Sequence, residues 1–304
     1  MGGPTMPLPG GHEFTLFPLA SFSDTTANDE LARLKNELLN AKPDNAELKK
    51  KWLSKAKSNR STGGRSEALE SACMYLLLAQ DLVDPSPKSD PAVAAKYFHF
   101  AANELRQIDL LARAAQCYFN SALQASDATA SVTQLTDADL ETLVLGLRSA
   151  GRAKSTLSDL GEDEQADQAH ALRLDIKRRM VRLEGNRFLH AVLAIWGGLT
   201  RYGTSPVRWS STVSIAFIGF SILYLFLTGD TSDPNHLLPA IRLLDGLGNN
   251  SLLTGPFLAF VNMLSFGAYT NIVPQNWLGE LVILAHACTA FLLIGTGATF
   301  LTRR

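Results

Sequence analysis

Cysteine is scarce in this chain: three residues out of 304 (Cys73, Cys117 and Cys288), an odd number with no CxxC spacing. That argues against a disulfide framework and against a zinc site built on paired cysteines. The six histidines are scattered, with no HExxH pattern and no Cys/His cluster, so the helical zinc-hydrolase signature is missing as well. "STGGRSEA" (61–68) has glycines and serines but not the GxxxxGK[ST] spacing that cradles phosphate, and reads as a loop. No enzymatic reaction, cofactor or metal is expected. A charge excess is lacking too: Lys and Arg number 28 against 29 Asp and Glu, a net charge of −1, which offers no global attraction for nucleic acid. The opening "MGGPTMPLPGGHEF" has no basic stretch ahead of an apolar core, and reads as a flexible leader rather than a signal peptide.

Charge is present but unevenly placed. Residues 1–187 are rich in Lys, Arg, Asp and Glu, whereas 209–302 carry few charged side chains. The stretch "WSSTVSIAFIGFSILYLFLT" (209–228) has none at all, over the roughly 20 residues a helix needs to cross a hydrocarbon core. A second run, "LVILAHACTAFLLIGTGATFLT" (281–302), is as long and has His286 as its one ionisable group. Two membrane spans are expected. Arg187, Arg201 and Arg208 precede the first and Arg303 and Arg304 follow the second, while the connection has Arg242 beside Asp230, Asp233 and Asp245. That asymmetry predicts a multi-pass inner-membrane protein with both termini cytoplasmic.

"FLHAVLAIWGGLT" (188–200) is apolar nearly all round, yet at 13 residues it is too short to cross. Two placements fit it: an interfacial helix with Trp196, Arg187 and Arg201 at headgroup level, or a buried helix of the soluble region. The connection between the spans begins as an exposed loop, "GDTSDPNHLLPAIRLLDGLGNN", with room for one short helical turn. "TGPFLAFVNML" follows, with Pro256 suited to the first position of a helix and Phe257–Leu264 supplying about two apolar turns, too few to span. Such a segment, held between two spans, is best placed as a re-entrant half-helix. Non-helical backbone at that depth is tolerated only where protein buries it or where it lines a water-filled cavity, and "SFGAYTNIVP" (265–274) would be such backbone.

This order of span, loop, half-helix, uncharged stretch and span resembles the pore module of two-transmembrane tetrameric cation channels. "YGTSPVRW" ahead of the first span is similar to the lead-in to that module in bacterial channel-like proteins, and the resemblance covers 196–304. "TNIVPQNWLGELVILAHA" matches the family's Gly-Asp-Ile-x-Pro, then polar residues, then a glycine opening the second span. Asn271, Ile272, Pro274 and Gly279 take the places of that aspartate, isoleucine, proline and glycine. The resemblance implies a homotetramer in a lipid bilayer around a pore for a permeant ion of unassigned identity, with Ser265, Phe266, Gly267, Ala268, Tyr269, Thr270 and Asn271 as filter and mouth.

The filter departs from the potassium-channel TVGYG, whose carbonyls replace the ion's hydration shell. Anchored on Pro274, that motif pairs with Phe266 to Thr270, leaving Ala268 and Thr270 where glycine backbone conformations are needed. Sliding by one residue puts Ser265 on the threonine and Gly267 on the first glycine, but Tyr269 on the second. A wider mouth is expected, passing ions with some water retained. In the second span, His286 fits either a pore-lining or filter-supporting role or a hydrogen bond to neighbouring backbone. Gly295 and Gly297 fit either a gating hinge or close helix packing. Tyr224 is expected at the outer headgroup boundary.

The polar region reads as helical. Asp90 and Pro91 cap "DPAVAAKYFHFAANELRQ", and "DLLARAAQCYFNSALQAS" follows. Phe98, Ala102, Leu105, Ala114, Tyr118 and Ser121 resemble the small/large alternation of a tetratricopeptide (TPR) helix pair. Thr136 with Asp139 starts another helix, and Gly161 and Ala166 suit a second turn and helix start. The separation from Ala114 to Ala166 is not a 34-residue period, so irregular hairpins are expected. Residues 28–58 add two weaker helices around Pro43. Lys49, Lys50, Lys51, Lys55, Lys57 and Arg60 form a basic cluster, suited to a solvated face or to acidic headgroups.

The expected fold is all-α: a leader with weak helices (1–66), a cytoplasmic TPR-like domain (67–187), an interfacial helix and linker (188–208) and a two-span pore module (209–304). Two functions fit. One is an ion channel-like pore gated or assembled by its cytoplasmic domain, which could also take a protein partner. The other is a non-conducting, membrane-anchored TPR-like scaffold.

Overall fold

A computed structural model describes residues 5–7, 13–15, 25–40, 45–62, 64–83, 90–202, 204–228, 240–243, 253–265 and 272–301. It is mostly helical, and its compact units are residues 1–195 and 196–304. The division falls inside the helix expected at 188–200.

In the first unit, β1 (Thr5–Pro7) pairs antiparallel with β2 (Glu13–Thr15), a feature not anticipated in the expected leader. Helices α1 (Thr25–Asn40) and α2 (Asn45–Thr62) both lie against α3 (Arg65–Val83). Then α4 (Pro91–Gln107), α5 (Leu111–Ala128), α6 (Asp137–Asp159) and α7 (Asp163–Leu183) pack each against the next, with α4 also touching α6 and α5 touching α7. This is a stack of antiparallel hairpins. Small and large residues interlock along it: Phe98, Ala102, Leu105, Ala114, Tyr118 and Ser121 are all buried, and the Ser121 hydroxyl donates to the Ala95 carbonyl at 2.8 Å.

Local signals set the helix ends. Asp90 accepts from the Val93 amide at 3.1 Å, with Pro91 opening α4. Thr136 and Asp139 close a reciprocal capping box at the start of α6. At the end of α6, Gly161 takes φ 75°. The Glu162 amide bonds the Leu157 carbonyl at 2.9 Å and the Gly161 amide bonds Ser158 at 3.1 Å, a complete Schellman motif. The same pair of bonds closes α4 around Asp109 and α7 around Gly185.

Three charged pairs tie the first helices together. Glu70 of α3 accepts from Arg33 of α1 at 3.0 Å and from Lys55 of α2 at 2.5 Å, and Lys49 reaches Asp81 at 2.5 Å. Two members of the basic cluster are thus engaged within the fold. Helix α8 (Arg187–Thr200) leaves Phe188, Val192 and Ile195 exposed along one side, which a helix buried all round would not do.

The second unit contains α9 (Pro206–Leu227), β3 (Ile241–Leu243), α10 (Thr254–Leu264), β4 (Ile272–Pro274) and α11 (Trp277–Leu301). Two helical stretches, Pro206–Leu227 and Trp277–Gly295, are long and apolar enough to cross a membrane, and only 17% and 28% of their apolar windows are buried within the protein. Ile215, Ile218, Phe226, Leu284 and Phe291 stand exposed, an apolar surface that water would penalise. Helix α10 has 11 residues, about 16 Å at the standard rise, and packs on both α9 and α11. It begins at Thr254, so Pro256 is its third residue rather than its first; the amide it lacks is still one of the orphan donors of the first turn. The connection after α9 was expected to be loop with a helical turn, yet β3 pairs antiparallel with β4, Arg242 opposite Val273.

Candidate functional site

Ala240 and Ile241 are fully buried. The Ala240 amide donates to the Leu227 carbonyl at 3.0 Å, and the Ala240 carbonyl accepts from the Gln275 amide at 2.8 Å. One residue therefore ties the end of α9 to the stretch just before α11. Gly279 makes this approach possible, since a Cβ there would lie 2.1 Å from the Ala240 carbonyl oxygen. The same device seats α10 on α9: a Cβ at Gly255 would lie 2.3 Å from the Ser221 carbonyl oxygen.

Between α9, α10 and α11 lies a buried polar cluster. Asn262 of α10 donates through Nδ2 to the Tyr224 hydroxyl at 2.7 Å, and its Nδ2 is 3.1 Å from His286 Nδ1. Tyr224 Oη is 3.0 Å from the same Nδ1. With the Tyr224 hydroxyl donating to Nδ1 and accepting from Asn262, one side chain from each helix is joined. Phe220 stacks on the His286 ring at 4.0 Å between centroids, 13° from parallel. Tyr224 and Asn262 are fully enclosed and His286 is 2% exposed. The Asn262 Nδ2, Tyr224 and His286 groups are partnered with one another, while Asn262 Oδ1 is buried without a partner among the described residues, and the cluster joins α10 to both candidate spans.

His286 therefore bonds side chains of α9 and α10. Tyr224 is fully buried within the protein, its hydroxyl between Asn262 and His286. Asn262 was missed; its signal was a lone amide in the apolar run "FLAFVNML". Ser265 caps α10, its amide donating to the Val261 carbonyl at 2.9 Å. Phe266, Gly267, Ala268, Tyr269, Thr270 and Asn271 lie outside the described residues. Gly297 sits under the Trp209 indole, 2.6 Å from the ring for an added Cβ, and that indole donates to the Leu293 carbonyl at 2.9 Å. Its place is thus explained by close packing. A Cβ at Gly295 would meet nothing within 4 Å. Ahead of α9, Arg201 and Tyr202 both take positive φ, 52° and 58°, conformations that cost about 1–2 kcal/mol per L-residue. Tyr202 is nevertheless fully buried, its ring edge-on to Trp196 at 5.9 Å.

No protein family, curated protein or solved structure matches the chain.

Proposed function

We propose that the chain is an ion channel-like membrane protein in which four copies surround a pore. Helices α9 and α11 are read as its two spans, α10 as a re-entrant pore helix and 265–271 as filter and mouth. The observation that carries this reading is the clamp on α10. A helix too short to cross is fastened by Asn262 to Tyr224 and His286, while β3 and β4 tie together the chain on either side of it. An apolar half-helix held at a set depth between two spans is what a pore needs in order to aim a filter. The hairpin stack of α4 to α7 is read as a TPR-like cytoplasmic domain that gates or assembles the pore, and α8 as a helix laid on the inner leaflet through Phe188, Val192 and Ile195.

The test is current through purified protein in a planar bilayer, with particle mass measured in parallel. A tetramer that conducts with weak preference among small ions is expected. A clean monomer at membrane-like density would remove the pore reading. The filter stretch favours one second reading, because neither register supplies both glycines of TVGYG: a membrane-anchored scaffold that does not conduct. A folded tetramer without current would establish that alternative.

A further inference from the structure

The hairpin stack contains a cleft of about 720 Å³ between α4 and α6, within the range of small-molecule sites, about 300–1,000 Å³. Its charge is one-sided: Lys96, Arg106, Arg148 and Arg152 line it against the single carboxylate of Glu141. That carboxylate is already used, pairing with Lys96 at 3.1 Å. The pair joins the first lining residues of the two helices. Arg106, Arg148 and Arg152 follow further along the same two helices.

Arg152 is held in place. Its Nη1 donates to Asn103 Oδ1 at 2.6 Å and to the Tyr118 hydroxyl at 3.3 Å, and its guanidinium stands 5.5 Å from the centre of the Tyr118 ring. Tyr118 itself donates to Asn103 at 2.7 Å, so the orientation is fixed from two sides. Arg106 and Arg148 have no ion-pair partner among the described residues. Arg148 and Arg152 are four residues apart on one helix, where like charges repel. An otherwise neutral chain thus concentrates positive charge on one concave wall, and a solvated face has no need of that.

We propose that this cleft binds a small soluble molecule carrying phosphate groups. A terminal phosphate brings about two negative charges and three acceptor oxygens, enough to engage more than one of the lining guanidiniums, whereas a carboxylate brings one charge and two oxygens. Guanidinium forks match phosphate geometry. Phe100 and Leu145, also in the lining, offer an apolar wall to the remainder of the ligand. Binding is independent of whether the pore conducts, so it is measured directly.

The experiment is calorimetric titration of the full-length protein in detergent with ATP, pyrophosphate and citrate at physiological salt. Saturable binding of ATP or pyrophosphate is expected, with citrate at least tenfold weaker. Arg106→Gln with Arg148→Gln, both at exposed positions, should weaken phosphate binding at least tenfold, while Lys50→Gln with Lys51→Gln leaves it unchanged. No saturation by either phosphate probe up to about 5 mM, undiminished binding in the arginine double variant, or equal binding of citrate would each overturn the proposal.

Discussion

Asn262 is the residue on which the buried cluster turns, because its amide reaches both other members. Removing it leaves the Tyr224 hydroxyl and His286 facing a cavity, so Asn262→Ala should destabilise by about 1–3 kcal/mol. Tyr224→Phe keeps the approach of Asn262 to His286 and should cost only about 0.5–1 kcal/mol, typical of a single hydrogen bond between membrane helices. Thermal unfolding of the detergent-solubilised protein ranks the two, and equal losses would mean that Asn262 has no central role. Gly279 makes a sharper case. An alanine methyl would press on the Ala240 carbonyl, which is backbone already bonded to Gln275 and cannot swing aside, so Gly279→Ala should destabilise by about 1–3 kcal/mol. Gly295→Ala, with open space around it, should be neutral or stabilising by up to about 1 kcal/mol. A shift in the voltage or time dependence of current in Gly295→Ala, without loss of stability, would mark a hinge at that position.

At the scale of the helix, the ends were legible and the contacts between helices were not. Asp90, Thr136 with Asp139, and Gly161 act within a few residues of themselves, so their roles could be read from local chemistry. Helix lengths and the two apolar stretches followed from composition for the same reason. Tyr224, Asn262 and His286 are 24 to 62 residues apart, and nothing local to any one of them names the others. Strand β3 was hidden because three residues carry little pattern and its partner lies beyond α10. The Glu70 network is likewise tertiary. Burial alone would raise the Glu70 carboxyl, but hydrogen bonds from Lys55, Asn59 and Arg33, with the charge of Lys55, outweigh it and hold it below its ordinary value. A depressed carboxyl contributes stability above the unfolded value of about 4.3 and loses that contribution as pH falls through the folded value. Acidification below about pH 4.5 should therefore loosen α1 and α2 from α3. Glu70→Gln should be less stable at neutral pH and show a flatter acid limb. An unchanged acid limb in that variant would mean that other carboxylates govern the transition.

For the whole molecule, the spans and the filter each make a demand that the isolated parts do not. The arginine asymmetry predicts that cysteines introduced at Ser86 and after Arg304 react only from the cytoplasmic side. The background is favourable: Cys73 and Cys117 are buried with thiols pushed up to about 12 by that burial, so replacing Cys288 leaves little competing reaction. Labelling from opposite sides would rule out two spans. The filter prediction depends on four copies meeting at an axis, since one half-helix and one loop enclose nothing. On the proposed filter reading, Ala268 and Thr270 take the positions where stacked carbonyl rings need glycine backbone, so the unmodified protein should favour potassium over sodium only weakly. Replacing both by glycine returns the missing conformations and should move the reversal potential under opposed potassium and sodium gradients toward the potassium value. Ser214→Ala is the control, because among the described residues that hydroxyl bonds to the Ser210 carbonyl of its own helix, and the change should leave the reversal potential unchanged. Strong potassium selectivity before any substitution would show that the filter reaches the required geometry without those glycines, by a route that side chains rather than backbone freedom would have to supply.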